Sequence, residues 1–135
     1  MIRLTTLLMV TSLAAAAHAG EPPSKAVETA SAKMFEDAFL QMGVAYICRD
    51  AIGSAYYHSA RTIAEQLIRK VGKSEAEATL MVDDFDQQIR RDHKKKAPAA
   101  NQEKCMDSLM EAQTQARVSR ARFEKAVEAE VSNQK

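Results

Sequence analysis

The stretch VAYICRDAIGSAYYHSAR, residues 44–61, concentrates side chains able to do chemistry: Tyr46, Cys48, Arg49, Asp50, Tyr56, Tyr57, His58 and Arg61. His58 is the natural candidate for acid–base or metal chemistry, because imidazole titrates near neutral pH. Catalysis also needs an orienting partner and a pocket, and a metal needs further ligands. Beyond the N-terminal leader the only other histidine is His93, which sits in a distant charged run. Helical spacing puts His58 nearly opposite the apolar positions of its own helix, which predicts a solvent-facing ring. Asp83-Asp84-Phe85-Asp86 carries oxygen ligands suited to a cation, but it lacks the alternating ligands, Gly turn and closing Glu of an EF-hand loop. The expectation there is a solvated acidic helix face. GxSxG, HExxH, Walker and CxxCH motifs are absent from the sequence. The expectation is therefore a non-enzymatic chain with no cofactor and no metal.

Arg90-Arg91-Asp92-His93-Lys94-Lys95-Lys96 is the strongest charge run. It reads either as cations complementing a helix C-terminus or as a contact for an acidic protein partner. Aromatic interleaving is missing, so stacking on nucleic-acid bases is not indicated. Tyr57, one turn before Arg61, is an aromatic of the kind that anchors interfaces. A half-buried core tyrosine is the competing reading. The candidate partner-binding set is Tyr57, Arg61, Arg90, Arg91, Lys94, Lys95 and Lys96.

These side chains sit in a chain whose first residues have the layout of a cleavable secretory signal. Arg3 is followed by an apolar run to Ala17 and a small-residue ending, Ala17-His18-Ala19. That run is shorter than the ~20 apolar residues that span a bilayer. The expectation is cleavage of residues 1–19, export (to the bacterial periplasm or outside the cell), and no stable membrane insertion afterwards. Residues 20–135 would then form a single helical domain. Of the 19 basic residues one, Arg3, lies in the leader, so the remainder balances 18 basic against 18 acidic residues. A neutral balance gives no global field to attract nucleic acid or anionic membrane.

Two cysteines in an exported chain read as one disulfide, Cys48–Cys105. Closing so long a loop stabilises by roughly 4 kcal/mol in the chain-entropy model.

Four helices are predicted. After a flexible leader over 20–25, the first runs from about Ser24 to Ile52 with Phe35, Ala38, Phe39, Met42, Ala45 and Tyr46 on its apolar stripe, and Gly53 as a stop or kink. The second covers about 54–71, with Tyr56, Ala60, Ile63, Ala64, Leu67, Ile68 and Val71 inward and Gly72 closing it. The third opens on a capping box, Ser74 to Glu77, and carries Ala78, Val82, Phe85 and Ile89. It should end by Pro98. The fourth starts after Asn101, carries Cys105, Leu109, Ala112, Ala116, Phe123 and Val127, and reaches about Val131 before a polar tail over 132–135. The fold class is all-α, a small four-helix bundle-like domain stapled by one disulfide. In an up-down-up-down arrangement both cysteines lie at the same end.

The layout is similar to that of small exported all-α proteins with one disulfide, among them periplasmic immunity proteins that neutralise amidase toxins delivered by type VI secretion. The shared features are the leader, a cysteine within an early helix, and a second cysteine followed by a carboxylate, here Lys104-Cys105-Met106-Asp107. Acid-stress periplasmic chaperones are similar in size and cysteine count. The resemblance implies a protein-binding role and carries over no site residue. The expected function is a protein-binding module of inhibitor, immunity or accessory type. The alternatives are a stress chaperone, with Met34, Met42, Met81, Met106 and Met110 as adaptable surface or core, and a small enzyme or ligand binder centred on His58.

Overall fold

A computed structural model describes residues 22–93 and 101–135. The proposed signal, the start of the leader, Lys94, Lys95, Lys96 and Pro98 lie outside the described residues. The rest is all-α: α1 (Lys25–Ile47), α2 (Arg49–Ile52), α3 (Ala55–Lys70), α4 (Glu75–Asp92) and α5 (Gln102–Asn133). Among the described residues no helix is long and apolar enough to cross a membrane.

Local signals set the helix ends. The Ser24 side chain accepts from the Val27 amide and starts α1. Arg49 Nη1 donates to the Tyr46 carbonyl at 2.6 Å, the acceptor that the Asp50 amide would use in a continuous helix. The expected first helix is thus divided at Cys48 into α1 and the single turn α2. Gly53 then takes φ +91°, open to glycine and strained for other residues. At the end of α3 the Lys73 amide reaches the Ile68 carbonyl and the Gly72 amide that of Arg69, a Schellman turn with Gly72 at φ +92°. The capping box of α4 forms as expected. Asn101 Oδ1 accepts from the Glu103 and Lys104 amides and starts α5.

α1 is the central helix: α5 packs along one side of it and α3 along another, and α4 lies mainly against α3. Among the described residues, no α4 Cα comes within 8 Å of an α5 Cα, so the edge that would close a four-helix ring stays open. The α1–α5 contact follows a strict alternation of four and three residues. On α1 and its C-cap the seam residues are Val27, Ser31, Met34, Ala38, Gln41, Ala45 and Cys48, while Asp37, Met42 and Tyr46 are buried on a neighbouring face. On α5 the seam residues are Cys105, Leu109, Ala112, Ala116, Ser119 and Phe123. This is the heptad seam of an antiparallel coiled coil, and its small side chains let the two backbones approach closely. Cys48 and Cys105 occupy seam positions at one end, bridged with a Cα–Cα distance of 5.6 Å. At the other end Glu130 accepts from the Ser24 amide at 2.9 Å and from its hydroxyl at 3.3 Å. The predicted disulfide and its single-end placement both hold.

Two apolar clusters fill the interior. Near the disulfide, Met42, Ala45 and Tyr46 of α1 meet Tyr57, Ala60, Ala64 and Ile68 of α3, Val82 and Ile89 of α4, and Leu109. Toward the other end, Val27, Met34, Ala38, Leu67, Val71 and Phe123 pack together. Val127, expected inward, is exposed on α5, while Ser119, two turns earlier, is buried with its hydroxyl donating to the Ala116 carbonyl.

Candidate functional site

The chemically rich stretch and Arg90, the first residue of the basic run, far apart in sequence, come together at the disulfide end around Tyr46. Arg49, from α2, lays its guanidinium carbon 3.8 Å from the Tyr46 ring centroid. Arg90, from the last turn of α4, lies 5.5 Å from the same centroid. Both distances fall within cation–π range. Asp86 orients Arg90: its Oδ2 accepts from Arg90 Nε at 2.6 Å. That hydrogen bond, together with the nearby negative charge, holds the Arg90 guanidinium above its usual pKa. Asp86 occupies one of the five guanidinium N–H donors, and the Arg90 side chain remains 55% exposed. Arg91 beside it is exposed. The arrangement presents two positioned planar cations on an aromatic base, suited to bidentate recognition of carboxylates.

Several expected site residues lie elsewhere. Tyr57 is core, 4% exposed, and its ring meets Tyr46 edge-on at 5.3 Å between centroids. Its neighbour Tyr56, expected inward, is the exposed one at 38%. Both residues precede Ala60 by about one turn, so spacing alone did not choose between them; Met42 and Tyr46 on α1 did. With its ring enclosed, Tyr57 offers no surface for a partner in this fold. Arg61 is engaged internally, bonded to Asp83 of α4 and paired with Glu65 at 3.6 Å. It fastens α3 to α4. The Asp83–Asp86 segment is only in part the expected solvated acidic face: Asp84 is exposed, but Asp83 serves Arg61 and Asp86 is only 8% exposed.

Two buried polar atoms, the Tyr57 hydroxyl and Asp86 Oδ1, have no hydrogen-bond partner among the described residues. Such groups are uncommon in protein interiors and are often met by an internal water. His58 is exposed as expected, its ring 5.6 Å from that of Tyr57. Among the described residues no three His, Cys, Asp or Glu side chains cluster closely enough to hold a metal ion.

Sequence reasoning missed Tyr46, Arg49 and Asp86 as parts of one site. Two local signals were present: Arg49 follows Tyr46 by three residues, and Arg90 follows Asp86 by four, both helix-neighbour spacings. Their meeting across α1 and α4 left no trace in spacing. No protein-family model, curated protein or solved structure matches the chain.

Proposed function

We propose that the chain is an exported, non-enzymatic protein-binding module of inhibitor, immunity or accessory type. It would dock an acidic segment of its partner on Arg49, Arg90 and Arg91. The observation that supports this reading is the convergence of Arg49 and Arg90, from separate helices, on the Tyr46 ring. Guanidinium groups whose geometry is fixed before binding lose less side-chain freedom on meeting a carboxylate. Lys94, Lys95 and Lys96 continue the same charge in sequence.

The test is affinity capture from periplasmic extract with the oxidised chain, beside an Arg49→Glu/Arg90→Glu/Arg91→Glu variant. One stoichiometric partner, released by moderate salt and absent from the variant, is the expected result. Identical capture by both proteins would overturn the proposal.

A stress chaperone is the second reading. It draws on single exposed apolar side chains, Leu80, Met81 and Met110 among them. Failure to suppress client aggregation at acid pH would remove it.

A further inference from the structure

A groove of about 580 Å³ runs between α1 and α5, at the end of the molecule opposite the disulfide. It is lined by Lys25, Ala26, Thr29, Ala30 and Lys33 of α1 and by Ser119 and Arg122 of α5; no residue of α3 or α4 contributes. Its floor is small and largely apolar, extended by the aliphatic stems of the two lysines. Among the described residues its rim carries three cations and no carboxylate. Lys33 is paired with Asp37 at 2.7 Å and with Glu36 at 3.4 Å. Lys25 and Arg122 form no ion pair with a described residue. The Ser24 amide at the start of α1 is already taken by Glu130, so an anion here would be held by side chains.

The volume matches that of small-ligand sites, roughly 300–1,000 Å³, but the groove is open to solvent rather than enclosed. An apolar trough flanked by cations matches a molecule with an aliphatic body and a negative head. We propose that this groove binds a free aliphatic carboxylate, its head group on Arg122 and its chain along Ala30, Thr29 and Ala26. This site is separate from the proposed partner surface, and either can stand without the other.

The probe is dodecanoate below its micelle-forming concentration, titrated calorimetrically into the oxidised chain, with backbone amide shifts followed by NMR. Saturable one-to-one binding is expected, with shifts centred on residues 25–33 and 119–122. Arg122→Glu should weaken it by about tenfold or more, through charge reversal at the head group. Dodecanol, with the same chain and no charge, should bind less tightly than dodecanoate. Arg91→Glu, which addresses the partner surface, should leave dodecanoate binding unchanged. Because Arg122 is exposed, its variant should keep the wild-type circular dichroism spectrum and disulfide. No saturable binding, equal binding by Arg122→Glu, or association only with anionic phospholipid vesicles would each overturn the proposal.

Discussion

The α1–α5 pair is fastened at both ends, by the Cys48–Cys105 bridge and by Glu130 on Ser24, and along its length by a seam of mostly small side chains. The α3–α4 pair is joined differently. It has the Gly72 turn at one end, the Arg61–Asp83 ion pair in its span, and a capping box at the start of α4. One pair is sealed by covalent closure and tight packing; the other adds only local hydrogen bonds and partly exposed charge to the apolar cluster it shares with α1. Interactions of the second kind are individually modest. The α1–α5 pair should therefore act as the rigid spine, with α4 opening first. The proposed partner site joins these two regions, since Arg49 follows the spine and Arg90 belongs to α4.

The largest test of this contrast is removal of the bridge. A Cys48→Ser/Cys105→Ser chain should lose about 4 kcal/mol of stability in denaturant unfolding. A loss near zero would mean that the seam alone holds the spine. Next, Ala112→Leu should overpack the seam and cost about 1–3 kcal/mol. If it is tolerated without loss, the close approach of α1 and α5 is wrong. In the other pair, Ser74→Ala removes the α4 cap and should cost about 1 kcal/mol. Hydrogen exchange should then speed up in α4 and not in α1 or α5; uniform acceleration would show that the two pairs open together.

Tyr57→Phe should change stability by no more than about 1 kcal/mol, because its hydroxyl has no partner among the described residues to lose. A larger loss would reveal a bound water or a hidden hydrogen bond. The smallest effect is expected from acid. The carboxyl of Glu77 is held below its usual pKa first by the Ser74 amide and then by the Ser74 hydroxyl. That of Glu124 is held down first by its hydrogen bond to Lys70 and then by Arg120. A carboxyl depressed in the folded state adds stability above its unfolded pKa of 4.5 and loses it as pH falls through the folded value. Stability from these two groups should hold from neutral pH to about 4.5 and decline below it. Exchange in α4 and at the α3–α5 contact should quicken before the seam does. The reverse order would contradict the comparison.

The amino-acid sequence by itself determined features whose cause lies within a few residues. The Ser74–Glu77 box, the Gly72 turn, the Asn101 cap and the exposed position of His58 all follow from short-range spacing and side-chain chemistry. The disulfide was also legible, because two cysteines allow one pairing. Only the tertiary structure decided which of several equally spaced faces is buried. α1 is covered on two sides, so a single stripe through Phe35 and Tyr46 took in Ala38 and Ala45 of the seam but not Ser31 or Gln41, and on α5 the predicted stripe lacked only Ser119; these polar side chains hide the heptad. Tyr57 rather than Tyr56 turned inward because Tyr46 waits on the neighbouring helix. Arg49 and Arg90 became one site, and Arg61 was spent on Asp83, for the same reason. Side-chain periodicity fixes angles about one helix axis, whereas a shared site depends on how separate axes are packed.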